Sequence, residues 1–363
     1  MTGRSLATAA LCASLGLAGC SGGEEPGAAH GGADGDGGPA VEADLANPEA
    51  LAVGDSGHLY IADSSDNRVR VIDPEGTIDT LAGSGRRGFS GDGGPATRAR
   101  LFRPDGVAAD RQGNVYVADF GNHRVRRVDS AGIITTAVGI GTRGFSGDGG
   151  EATQAQIADP GALAVDRAGN LYIADLGNGR VRKVDPEGII TTVAGTGVTG
   201  FSGDGGPATA AQLAVPRGLA VDPTGNLYIA DLRNHRVRRI DSAGVITTVV
   251  GTGMNGDYGD GGPALEAALA DPTGLAVDSA GRLFVADAGS HRIRRIDAQG
   301  VMTTVAGTGT PGPSRSGGRA VEEKLRLPGA VAAGEDGVIY LTSSLVLVLR
   351  VDRDGTLTRI ASA

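Results

Sequence analysis

The sequence predicts an all-β fold, a six-bladed β-propeller of four-stranded antiparallel blades, on three observations. A unit of 56 residues recurs six times, each unit holds four short apolar runs, and the runs are separated by Asp-, Gly- and Pro-rich turns suited to hairpins. The period is carried by Asp63, Asp119, Asp175, Asp231 and Asp287, and again by Pro48, Pro104, Pro160, Pro216, Pro272 and Pro328. The units run at about 48–103, 104–159, 160–215, 216–271, 272–327 and 328–363, within a propeller spanning 36–363. A period this long with four apolar runs is the signature of blades and not of a helical array.

The fourth unit justifies each strand. Gly218 to Asp222 and Leu227 to Asp231 flank Asp-Pro-Thr-Gly-Asn, in which proline presets the first central position of a turn and glycine supplies positive φ. Arg236 to Asp241 and Val245 to Gly251 flank Asp241-Ser-Ala-Gly244, the same device again. One such sheet cannot bury both of its faces, whereas six around an axis can. The column Tyr60, Tyr116, Tyr172, Tyr228, Phe284, Tyr340 is therefore expected to pack between blades.

Residues 216–237 follow P-x-G-V-A-V-D-x-x-G-N-V-Y-V-A-D-x-x-N-H-R-V nearly position for position, and the chain resembles the NHL repeats over about 48–363. The sixth copy departs: Ile339 to Asp352 lacks the Asp and the Asn-His-Arg and is one residue shorter. The resemblance implies the propeller. It leaves function open, because NHL domains serve as receptor sensor domains, as protein or RNA binders and, in a few relatives, as lyases or lactonases.

The N-terminus reads as an export signal. Arg4 precedes an apolar stretch from Leu6 to Leu17 that is too short for a membrane span, and Leu17-Ala-Gly-Cys20 resembles a bacterial lipobox. Residues 1–19 are expected to be removed and Cys20 to carry lipid, palmitate among the acyl groups, leaving a membrane-anchored protein outside the cytoplasm. Cys12 leaves with the signal, so the mature chain has neither a free thiol nor a disulfide, and thiol catalysis falls away. Residues 20–35, rich in Gly and Ala, form a tether reaching about 20 Å; His30 within it is solvated.

Alternating strand direction places the long connectors and the Asp-x-x-Asn-His-Arg turns on one face, and the short Asp-x-x-Gly hairpins on the other. The connector from Gly195 to Pro216 is typical, and Pro207 is expected to open a short helix in it. Asp36 to Leu45 reads as a connector copy without a preceding blade, which predicts that this segment closes the ring between blades six and one.

The charge of −9 and pI near 5.1 disfavour nucleic acid as a partner, since affinity for phosphates rests on Lys and Arg. His123, His235 and His291 share one column on rotated blades and cannot converge on one ion, so a turn histidine bonding within its own blade is expected; His58 lies at the surface. Asp34-Gly-Asp36-Gly-Gly lacks the glutamate of a calcium loop. The columns Arg68, Arg124, Arg180, Arg236, Arg292 and Asp63 to Asp287 are expected to pair across the turns. No catalytic constellation stands out from the repeat, and no cofactor or metal is expected.

Two functional readings follow. One is a surface binding or scaffold module that takes an extracellular or periplasmic protein, glycan or wall fragment on the connector face, with His123, Arg124, His235, Arg236, His291 and Arg292 as contact residues. The other is a propeller lyase or lactonase with a metal in its central channel. The apolar Leu345 to Leu349 run of blade six is expected either to be buried or to meet a partner.

Overall fold

The computed structural model describes residues 35–334, 337–344 and 346–362; Cys12, Cys20, His30, Asp34 and Leu345 lie outside these. Six antiparallel sheets follow one another in chain order. In blade four the strands Pro216–Val221, Leu227–Asp231, Arg236–Ile240 and Ile246–Val250 run from the inner to the outer edge. The turns form as the sequence predicts: Asp222 Oδ1 accepts the amides of Thr224 and Asn226 at 2.9 and 3.0 Å, and Asp241 Oδ1 accepts those of Ala243 and Val245 at 3.0 Å.

The inner strands touch in order and the sixth touches the first, so the ring is closed. One apolar core lies between each pair of neighbouring blades. Ala62, Val69, Leu101, Val107 and Ile134 fill the space between blades one and two, and Leu45, Leu51, Ile61, Ala330 and Val348 fill that between six and one. Burying each Leu, Ile or Val contributes about 1.5–3 kcal/mol, and half of every core comes from the neighbouring blade. The aromatic column packs against these clusters as expected: Tyr60 joins the blade one–two core, Tyr116 the two–three core, and Phe284 the five–six core.

The connectors depart from expectation. Each carries a single 3-10 turn, such as Ala96–Arg98 or Ala208–Ala210, so the short helix expected at Pro207 is three residues long and Pro207 precedes it in extended backbone instead of being its first residue. The cause is attachment on both sides. The Ala208 amide donates to the Gly244 carbonyl of blade four, while the carbonyls of Ala208 and Ala211 accept from Gly195 and Thr196 of blade three, all near 3.0 Å. Three residues remain to coil between these anchors. Just before that turn the connector runs along the outer strand of the next blade, as a short fifth strand in blades one and two and as a single bridge in the others. It thereby covers edges that would otherwise present unpaired amides.

The N-terminal segment closes the ring in the same way. Gly38–Pro39 pairs with Thr77 and Ile78 of blade one, Ala40–Glu42 makes the 3-10 turn, and the Leu45 amide donates to the Ser362 carbonyl of blade six at 3.0 Å. Blade six takes its outer strand, Leu357–Ser362, from the C-terminal end of the chain.

Candidate binding face

The residues of the Asp-x-x-Asn-His-Arg turn stitch blades together. In blade two, Asp119 Oδ1 accepts the Phe102 amide at 2.7 Å, and Asn122 Nδ2 donates to both Asp119 Oδ2 and the Gly88 carbonyl at 2.8 Å. His123 sits in left-handed backbone at φ 52, which Asn67 and Gly179 also adopt in this column. Its Nδ1 accepts the Asp159 amide at 3.2 Å, and His291 Nδ1 accepts that of Leu327 at 3.1 Å. His123 and His291 thus hold the amide at the end of their own repeat, just before the first strand of the next blade, whereas His235 Nδ1 lies 3.8 Å from Asp271 Oδ1 without a hydrogen bond. Burial lowers the pKa of the His123 and His291 rings, which keeps Nδ1 available as an acceptor.

The arginine column is also engaged within the protein. Arg124 donates to the Ile140 carbonyl at 2.6 Å and lies 3.9 Å from the Phe89 ring centroid; Arg180 stacks in the same way on Phe145 and Arg236 on Phe201. Gly141 belongs here because a Cβ would fall inside the Arg124 guanidinium. Arg292 meets Asp257 at 3.0 Å, since that connector carries Asp where the three before it have Phe.

The aspartate column pairs with a different arginine. Arg126, two residues beyond Arg124, is fully buried 3.6 Å from Asp119 and 2.6 Å from Asp92, whose other oxygen accepts from Thr136. Arg70, Arg182, Arg238 and Arg294 repeat the arrangement with Asp36, Asp148, Asp204 and Asp260. The acid of the Gly-Asp-Gly-Gly loop is therefore the anchor that holds a connector to its blade. Burial pushes the carboxyls of Asp119, Asp175 and Asp231 up to about 6 and that of Asp287 to about 7.

One cluster breaks the repeat. The residue after the repeated proline is Glu49, Asp105, Gly161, Arg217, Thr273 and Gly329 in turn. Arg217 of blade four spans the ring to Asp105 of blade two, bonded through two nitrogens, and its Nη2 lies 3.3 Å from Glu49 Oε2 of blade one. All three are nearly buried, and burial followed by the Asp105 charge raises the pKa of Glu49. Burial works against the charge on Arg217, but Asp105 and Glu49 outweigh it and hold its pKa above the ordinary value.

The exposed apolar surface is confined to one class of segment. All ten exposed large apolar side chains among the described residues lie in connectors or the N-terminal segment: Phe89, Ile140, Phe145, Val198, Phe201, Met254 and Tyr258 in the first halves, and Val41, Leu265 and Val321 in the 3-10 turns.

The Teneurin NHL domain family model matches residues 17–90, 85–145, 141–201, 196–256 and 253–315. The chain belongs to this NHL family. It is 29% identical to Teneurin-3 of Mus musculus over 334 residues, covering 82% of this chain and 12% of the teneurin. The chain thus spans about a tenth of the length of the curated relatives first matched. An auxiliary nutrient binding protein from Bacteroides thetaiotaomicron shares the fold at a TM-score of 0.58 and 16% identity, with 84% of this chain and 68% of that one covered. A gluconolactonase from Xanthomonas campestris does so at 0.56 and 16%, with 87% of each chain covered.

Against this NHL frame, sequence reasoning missed the axial cluster and the second arginine column. The signal for the first was present: the position after the repeated proline changes sign around the ring, from Glu49 and Asp105 to Arg217.

Proposed function

We propose that this NHL propeller is a non-enzymatic binding or scaffold module that takes a protein partner on its connectors, the protein held at the cell surface by lipid on Cys20. The observation that carries this reading is the confinement of exposed apolar side chains to the connectors, where Phe89, Phe145 and Phe201 stand on arginine supports. Aromatic and arginine side chains together on a rigid scaffold make effective anchors for a partner. A sugar or wall fragment could use the same rings by stacking.

The enzymatic alternative draws on shared fold with lyase and lactonase propellers. A channel metal does not fit the axial donors, because the Arg217 guanidinium already lies between the Glu49 and Asp105 carboxylates.

The test is capture from envelope extract by the purified chain and by a Phe89→Ser/Phe145→Ser/Phe201→Ser variant with the same melting curve. A protein retained by the first and lost by the second is the expected result; equal retention, or turnover of a lactone and ester panel, overturns the proposal. The anchor is tested by labelling with a radioactive fatty acid, which Cys20→Ser should abolish.

A further inference from the structure

Blade six lacks the buried ion network of the other five, and the loss is concerted. In blades one to five a buried arginine of the third strand lies near the turn aspartate and the connector aspartate, and a threonine of the fourth strand bonds the latter. In blade six Leu349 faces Arg359 in the register where Arg294 faces Thr304 in blade five. Ser343 replaces Asp287, and Ser316 replaces Asp260. Ser343 Oγ still accepts the Arg326 amide at 3.0 Å, so the stitching bond survives without the charge. Exchanging acid and arginine together strands no buried charge, whereas losing either alone would.

The exchange leaves a cleft of about 250 Å³ lined by Val41, Ser314, Ser316, Leu347, Leu349 and Arg359. Val41, Leu347 and Leu349 give it one aliphatic wall. Ser316 Oγ accepts the Arg359 amide at 3.2 Å and keeps its hydroxyl hydrogen for a ligand oxygen, while Ser314 Oγ donates to the Lys324 carbonyl at 2.7 Å. The exposed Arg359 guanidinium joins none of the ion pairs among the described residues. A cation at the rim of an aliphatic cleft this small selects an anion with a short apolar tail. We infer that the cleft of blade six is a binding site for a short aliphatic carboxylate.

The test uses the purified full chain and hexanoate, followed by calorimetry and by the methyl resonances of Val41, Leu347 and Leu349. Saturable binding with Kd on the order of 1 mM is expected, with hexan-1-ol at least about tenfold weaker. Arg359→Gln, at an exposed position, should weaken hexanoate by about tenfold or more. A variant that restores the network of the other blades, Ser316→Asp/Ser343→Asp/Leu349→Arg/Arg359→Thr, should stay folded and show no binding. Absence of saturation up to about 20 mM, or affinity unchanged in Arg359→Gln, overturns the inference. So does sedimentation showing a dimer that Leu347→Ser dissociates, which would assign the cleft to a second copy.

Discussion

Asp119 stands opposite Arg124 in strand register, yet its carboxylate is 3.6 Å from Arg126, with both of those side chains wholly buried. Register and charge pairing separate because Arg124 and Arg126 project from the same side of the strand, and the connector decides between them. Asp92 draws Arg126 inward, while Phe89 offers Arg124 a ring to lie on. Substituting Arg126 with Ala strands two acids and should cost about 3–5 kcal/mol. Substituting Arg124 with Ala should cost about 1 kcal/mol. Urea midpoints of the two variants measure the ranking, and equal losses would contradict the assignment.

Arg217 lies between Glu49 and Asp105, and it ties blades one, two and four together. Arg217→Met should lose about 3–5 kcal/mol in urea unfolding, because two carboxylates are left in a nearly buried channel. Glu49→Gln/Asp105→Asn/Arg217→Met should recover most of that loss. A triple variant no more stable than the single one would mean that packing, not charge, governs the site.

The blade count, strand order, hairpins and ring closure were legible in the sequence because each is written as a period or as a copy of one. Pairing choices were not. Arg124 and Arg126 are the same residue type two positions apart, and their partners, Phe89 and Asp92, lie more than thirty residues upstream in a loop whose path periodicity does not reveal. The axial triad was obscured for the opposite reason: Glu49, Asp105 and Arg217 vary beside a proline column that repeats, and variation in one sequence looks like surface. Pro207 preceded its turn because anchors on two blades fixed the connector's length, a tertiary constraint that overrode local preference.

The buried aspartates set an unusual pH dependence. With the carboxyls of Asp119, Asp175 and Asp231 at about 6 and that of Asp287 at about 7, the folded chain keeps protons that the unfolded chain, titrating near 3.8, has already released. Their contribution is fully present below the unfolded value and is lost as pH rises through the folded ones. Unfolding midpoints should therefore fall between pH 5 and 7.5, and Asp287→Asn should flatten the slope. A midpoint that rises steadily across this window would show that the arginines hold these carboxyls ionised.

Gly179 is the weak member of its column. Where Asn67 and His123 accept the amides of Arg103 and Asp159, just before the first strand of the next blade, Gly179 has no side chain to offer Val215, itself at φ 60. Gly179→Asn keeps a residue type that the column already accommodates in left-handed backbone, and a Cβ there meets only ordinary contacts beginning at 3.7 Å. The new bond and the loss of unfolded-state freedom should stabilise the protein by about 0.5–1.5 kcal/mol. A calorimetric Tm that drops would show that Val215 is held by other means.

The N-terminal segment closes the ring, and its removal should be felt at the blade six–one seam and at buried Arg70 of blade one, which loses Asp36. Deleting residues 34–47 withdraws Leu45 from that core, breaks the bond from the Leu45 amide to Ser362, and takes from the Asp63 carboxylate the Ala46 and Asn47 amides at 2.7–3.0 Å. Each kilocalorie lost lowers Tm by about 2–4 °C in domains of roughly this size, so a fall of at least about 5 °C is expected. Hydrogen exchange should locate the loosened amides in Leu357–Ser362 and Thr77–Ala82, the two outer strands the segment bridges. An unchanged melting curve would mean that the inner strands close the ring unaided.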